Sequence, residues 1–169
     1  MYQVYLSLGT NLGNRKRNIR EVIEKIGEQI GVVERQSALY ETKPWGYSSP
    51  NDYINACVLV LTTMAPRQVL EATQRIEREM GRTMKSVDGE YQDRIIDIDI
   101  LMIDDLVIDE PDFKVPHPLM EERDFVMNPL KEILKEFLQN FRKFCPYALK
   151  DGPIRPERAK APSPGHRPG

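Results

Sequence analysis

The chain has little cysteine, no long apolar run and almost no net charge, and each shortage narrows what it can be. Only two of its 169 residues are cysteine, Cys57 and Cys145. They lie far apart, Cys57 sits inside an apolar stretch, and no secretory leader is expected at the N-terminus. Both therefore read as packing residues, not as a disulfide framework. A reducing, cytoplasmic setting is the expectation. The longest apolar run, 56–61, falls far short of the roughly 20 residues that a membrane-spanning helix needs. The 24 Lys and Arg residues against 26 Asp and Glu leave a net charge of -2. Nucleic-acid partners usually select a basic domain or stripe, which this balance does not provide. A Walker loop, a Rossmann glycine fingerprint and a kinase catalytic loop are all missing. Any nucleotide must be held by another architecture.

What is present fits one globular domain over 1–149, followed by a flexible tail. From about Lys150 onward, Pro153, Pro156, Pro162, Pro164 and Pro168 are interspersed with Gly and basic residues. Tyr2 to Leu8 alternates as a strand does and ends at Gly9. Asn14 can cap a helix from Arg15 to about Ile30, with Ile19, Val22, Ile23, Ile26 and Ile30 as its apolar stripe and Gly31 as its stop. Val32 to Tyr40 reads as a second strand. Thr42 to Asp52 is a loop punctuated by Pro and Gly that carries Trp45 and Tyr47, expected to be exposed. Tyr53 to Thr63 reads as a central strand. Pro66 opens a helix that buries Val69, Leu70, Ile76 and Met80 and stops at Gly81. A polar loop spans Arg82 to Asp93, a fourth strand runs from Ile95 to Ile103, and Leu106 to Ile108 is its expected hairpin partner. A last helix covers Phe125 to about Leu138. This order predicts an α+β, ferredoxin-like βαββαβ sandwich: a mainly antiparallel sheet with helices on one face, the other face left free to bind, and an added hairpin and C-terminal helix.

The segment RIIDIDIL, 94–101, carries the chemistry. Side chains alternate along a strand, so Asp97 and Asp99 share one face while Ile96, Ile98 and Ile100 enter the core. Same-face neighbours lie about 7 Å apart, a span that a hard cation bridges when phosphate oxygens and water complete its shell. The plain alternative is a pair of solvated carboxylates. Arg78, Arg82, Lys85, Arg94, Lys114, His117 and Arg123 crowd the same third of the chain, which suits either a phosphate site or a charged surface. Arg94, three residues before Asp97, offers a planar fork for phosphate oxygens. Tyr53 and Asn55 share one strand face, and an aromatic ring beside an amide suits a flat, hydrogen-bonding heterocycle, with Phe125 as a second plate. His117 stands between Pro116 and Pro118, which restricts its placement.

Together these residues resemble the 6-hydroxymethyl-7,8-dihydropterin pyrophosphokinase family. The resemblance runs from Tyr2 to about Leu138. It rests on RIIDIDIL with SLGTNLG at 7–13, TKPWG at 42–46, DYINA at 52–56, TQRIEREMGR at 73–82 and VPHPLMEERDFV at 115–126. It implies transfer of pyrophosphate from ATP to the pterin alcohol, giving AMP and the pterin diphosphate in tetrahydrofolate biosynthesis, by a cytoplasmic monomer with two magnesium ions. Carried over to this chain, it implies that Asp97 and Asp99 hold the metals. Arg82, Arg94, His117 and Arg123 would contact phosphates, the first two arginines also serving catalysis, with Gln74 and Glu77 turned toward the nucleotide. Tyr53 and Phe125 would sandwich the pterin and Asn55 read its edge, while Thr42, Pro44 and Trp45 belong to a loop that closes over it. Loops 42–52 and 82–93 are expected to be mobile when empty. This chain departs from the family at Tyr91, Gln92 and Asp93, where a Trp and a Gly-Pro or similar pair often precede the arginine, and at Leu119, where many members are basic.

Overall fold

A computed structural model describes residues 1–81 and 93–144, with the backbone alone for 135–144. Arg82, Lys85, Tyr91, Gln92, Cys145 and the tail lie outside the described residues. Four long strands make the sheet: β1 (Tyr2–Thr10), β2 (Val32–Gln36), β4 (Tyr53–Thr62) and β5 (Asp97–Ile103). They lie in the order β2-β4-β1-β5, each pair antiparallel, and the short β3 (Tyr40–Thr42) also pairs with β4. Helices α1 (Arg15–Gln29) and α2 (Pro66–Glu79) cover one face, as the sequence leads one to expect.

That face is closed by alternation. Val4, Leu6 and Leu8 of β1, Ile54, Ala56, Val58 and Val60 of β4, and Ile98 and Ile100 of β5 all enter one core with Ile19, Val22 and Ile26 of α1 and Val69 and Ile76 of α2. Asn14 caps α1 by accepting from the Arg17 N–H at 3.1 Å. Gly31 follows at a close approach, since a Cβ there would lie 2.1 Å from the Leu61 carbonyl oxygen.

The second face is only partly free, which corrects the expectation of an open one. Helix α3 (Asp124–Phe144) seals half of it, packing Val126, Leu130, Ile133 and Leu134 on Tyr5, Cys57, Leu59 and Leu101. The same strands continue past α3 with Ser7, Gly9, Tyr53, Asn55, Asp97 and Asp99, and that uncovered half is where the site lies.

Three boundaries also differ. The expected strand 32–40 splits into β2 and β3. Gln36 pairs with Val58 and Tyr40 with Asn55, so four steps on one strand meet three on the other and one residue bulges out. Glu132 of α3 holds the bulge by accepting from the Ala38 N–H and the Tyr40 hydroxyl. β5 starts at Asp97, later than expected. Before it, the Arg94 N–H donates to the Asn11 side-chain oxygen and the Arg94 carbonyl accepts from the Asn11 N–H. Finally, Leu106–Ile108 is not the hairpin. β6 (Ile108–Glu110) and β7 (Phe113–Val115) pair with each other as a separate two-stranded unit.

Candidate active site

Three strands lay the floor of the site in register. Gly9 of β1 sits between Asn55 of β4 and Asp97 of β5, and in the next row Ser7 sits between Cys57 and Asp99. Space above Gly9 is tight. A Cβ would come 3.3 Å from the Asn55 Oδ1 and 3.6 Å from the Tyr53 ring. The Asn55 amide nitrogen donates to Thr42 Oγ1 at 2.7 Å and to the Tyr40 carbonyl at 3.4 Å. Its two donors are thereby used on the protein, and the acceptor of the side chain is its oxygen.

Over this floor lies a cavity of about 370 Å³. Tyr53 and Phe125 line it with Thr42, Trp45, Tyr47, Arg94, Asp97, Asp99, His117, Leu119 and Arg123. Trp45 and Tyr47 are half-buried here, not exposed. Trp45 meets Phe125 edge-on at 6.4 Å between centroids, and the Arg123 guanidinium stacks on Trp45 at 4.6 Å and near Phe125 at 5.7 Å. The Tyr47 and Tyr53 hydroxyls lie 2.9 Å apart. Burial, followed by that neighbouring hydroxyl, holds the Tyr53 phenol protonated far above its ordinary range.

A second cavity of about 370 Å³ opens on the outer side of β5, between α2 and the β6-β7 hairpin. Gln74, Glu77, Thr73, Phe113 and Lys114 line it. One Glu77 oxygen accepts from the Ile98 N–H at 3.0 Å, which ties α2 to the edge strand between the two aspartates. Arg67 of α2 binds Asp112 at 2.7 Å, pairs with Glu110 and lies over the Phe113 ring, and so fixes the hairpin wall. Lys114 is held to Asp109 at 2.5 Å.

The two cavities share Asp97, Asp99, His117 and Pro118. His117 is tied into place by its N–H, which donates to the Leu101 carbonyl at 2.9 Å, and by its Nδ1, which accepts from the Leu119 N–H at 3.2 Å. Burial and then the Arg123 guanidinium lower its pKa to about 4, with Asp97 opposing them. The ring is therefore neutral at pH 7, and with Nδ1 accepting, its proton sits on Nε2 as a donor. Arg123 Nη1 stands 4.0 Å from the Asp99 carboxylate.

Residues 5–135 match the model of the 7,8-dihydro-6-hydroxymethylpterin-pyrophosphokinase family, HPPK. The chain belongs to that family. It is similar to three curated HPPK enzymes, each named 2-amino-4-hydroxy-6-hydroxymethyldihydropteridine pyrophosphokinase. The one from Porphyromonas gingivalis is 44% identical over 131 residues, which cover 77% of this chain and 89% of the relative. The one from Aquifex aeolicus is 39% identical over 133 residues, 79% of this chain and 81% of that one. For Bacillus subtilis the identity is 37% over 133 residues, 78% of each chain. Among solved structures, an HPPK-DHPS crystallised with substrates matches the fold with a TM-score of 0.61 at 14% identity, over 84% of this chain and 44% of that one. A Plasmodium falciparum HPPK-DHPS gives a TM-score of 0.62 at 17% identity, over 80% of this chain and 40% of that one.

For an HPPK, the residues expected from sequence divide between the cavities. Thr42, Trp45, Tyr53, Asn55 and Phe125 line the aromatic cavity, and Gln74 and Glu77 the second. Pro44 is half-buried beside the first without lining it, and Arg94 and Arg123 face the aromatic side. The donor set at the junction fits a magnesium ion. It offers two half-buried carboxylates on one strand face, and no group of three His, Cys, Asp or Glu side chains gathers to hold a metal among the described residues. Nucleotide oxygens and water would complete the shell, as magnesium favours. Sequence reasoning missed Ser7, Gly9, Asn11 and Asp93. Only the SLGTNLG motif and the departure at Asp93 hinted at them.

Proposed function

We propose that this HPPK works with its two substrates on opposite sides of the Asp97–Asp99 pair, the pterin in the aromatic cavity and ATP in the second. The reaction carries the pyrophosphoryl group of ATP to the hydroxymethyl oxygen of 6-hydroxymethyl-7,8-dihydropterin and releases AMP, a step of tetrahydrofolate biosynthesis. One observation supports the division above all: the two carboxylates and His117 line both cavities. A hydroxymethyl group on the aromatic side and a β-phosphorus on the other then meet across them.

Tyr53 and Phe125 would stack on the pterin faces while the Asn55 oxygen accepts from ring-edge N–H groups. Asp97 and Asp99 would hold one or two magnesium ions, which when bound neutralise charge on the phosphate oxygens. His117 donates from Nε2 to a phosphate oxygen, and Arg94 and Arg123 offset charge that spreads over the transferring group. The alcohol oxygen bonds to the β-phosphorus, the bond from that phosphorus to the α,β-bridging oxygen breaks, and the alcohol proton leaves. Such transfers depend on positioning and charge more than on a strong base. Arg82 completes the phosphate contacts in this reading.

A cytoplasmic monomer is the setting we infer. ATP as co-substrate and the scarcity of cysteine, two in 169 residues, favour that compartment. No helix among the described residues is long and apolar enough to cross a membrane.

The test is Asp97→Ala and Asp99→Ala. Each should lower turnover with Mg-ATP by at least about a thousandfold while pterin affinity stays within about threefold. Near-normal turnover in either variant would remove the carboxylates from the phosphate chemistry.

A further inference from the structure

Asp93 lies just outside both cavities and is absent from the chemistry above, yet four side chains converge on it. Its Oδ1 accepts from the Asn11 amide at 2.7 Å and the Tyr47 hydroxyl at 2.9 Å, and its Oδ2 from the Ser49 hydroxyl at 3.0 Å and the Asn51 amide at 2.8 Å. Three of these donors sit on the loop between β3 and β4 that carries Trp45. The fourth lies just past β1. Asp93 itself leads directly into Arg94 and β5.

The direction of the bonds matters. Partial burial works against the Asp93 charge, and the four hydrogen bonds more than offset it, so the carboxyl pKa is lowered and the group only accepts. Tyr47 has one hydroxyl proton, and it goes to Asp93. The 2.9 Å bond to Tyr53 then runs from the Tyr53 hydroxyl to the Tyr47 oxygen, which also accepts from Asn11. A directed chain thus links Asp93 through Tyr47 to the ring that forms one wall of the aromatic cavity.

We propose that Asp93 is a positioning residue that latches the Trp45 loop and sets the Tyr53 ring before the pterin binds. An aromatic loop ordered in advance loses less conformational entropy when a flat ligand enters, and that difference appears as affinity. None of the four donors lines the second cavity, so the effect falls on one substrate and not on both. The four donors match an acceptor-only carboxylate. The loop, expected from sequence to be mobile when empty, is in this chain held from below by hydrogen bonds. The inference rests on the pterin occupying the aromatic cavity.

The chain's one tryptophan is Trp45, so its fluorescence reports the loop without a label. In ligand-free protein, Asp93→Ala should raise acrylamide quenching of Trp45 about twofold and weaken pterin binding about tenfold, with Mg-ATP affinity and kcat within about threefold. Asp93→Asn, which keeps one accepting oxygen, should recover part of both effects. Tyr47→Phe removes one of the four donors together with the line to Tyr53, and should weaken pterin binding about threefold and raise quenching by less than Asp93→Ala does. If Asp93→Ala folds poorly, the double variant Ser49→Ala with Asn51→Ala removes two surface donors and should move quenching the same way. Unchanged quenching in a folded variant, or equal losses for pterin and ATP, would overturn the latch. Should pterin leave the parent protein's Trp45 emission unmoved, the cavity assignment fails instead, and the ligand-free quenching still decides the latch.

Discussion

The two cavities are alike in volume and unlike in construction. The aromatic one is ordered by its own side chains: Asn55 is oriented by Thr42, Tyr53 by Tyr47, and Trp45 packs against both Phe125 and Arg123. The second is a gap between a sheet edge, a helix and a hairpin, fixed at a few points such as Glu77 on Ile98 and Arg67 on Asp112. A rigid heterocycle is recognised by shape and by the direction of its hydrogen bonds, which a preformed wall supplies. A flexible triphosphate is recognised largely through charge, which a cation and mobile basic side chains can bring when it arrives.

Arg94 is the residue best placed to break this contrast, because it lines the aromatic cavity and is assigned to phosphate. Arg94→Ala should lower kcat about a hundredfold and leave the calorimetric pterin affinity within about threefold. The reverse pattern would move the arginine to the pterin.

His117, at the junction, sharpens the contrast through pH. In metal-free protein without nucleotide its folded pKa of about 4 lies below the unfolded value near 6.5. Between these limits the unfolded chain binds the proton and the folded one does not, so stability falls as pH drops from about 6.5 to 4 and this contribution levels off below. His117→Gln should lose less stability across that window, by on the order of 2 to 3 kcal/mol in urea unfolding. Parallel pH profiles for the two proteins would mean the ring ionises as it does in the unfolded chain.

Tyr53→Ala tests the preformed wall and should weaken pterin binding about thirtyfold, near 2 kcal/mol of stacking, with Mg-ATP affinity kept. An unchanged pterin affinity would make the tyrosine a packing residue only. The smallest effect belongs to the second cavity. Arg67→Ala frees the hairpin from α2, and because its ion pairs are solvent-exposed it should weaken ATP binding by only about twofold to threefold. A loss larger than tenfold would show that this wall is as preformed as the aromatic one.

Much of this was legible in the sequence where the signal is local. Period-two alternation placed Asp97 and Asp99 on one face and Ile98 and Ile100 on the other, and a helical stripe marked Ile19, Val22 and Ile26. What escaped was set by distant partners. The bulge at Ser37–Leu39 depends on Glu132, far along the chain on α3. The covering of half the second face depends on where α3 docks, and no local pattern of its own reveals that. Asp93 read as a departure before an arginine, because its four donors come from two other segments. Arg123 was expected at the phosphates from the resemblance, but its burial against Trp45 is set by the fold and by no local pattern.

The central claim, that the carboxylate pair stands between two separately held substrates, is tested most directly by a crystal structure with magnesium, the pterin and α,β-methylene-ATP. The expected result is magnesium on Asp97 and Asp99, the pterin between Tyr53 and Phe125, and its hydroxymethyl oxygen facing the β-phosphorus across the pair. Magnesium bound away from both aspartates, or both ligands on one side of β5, would contradict it.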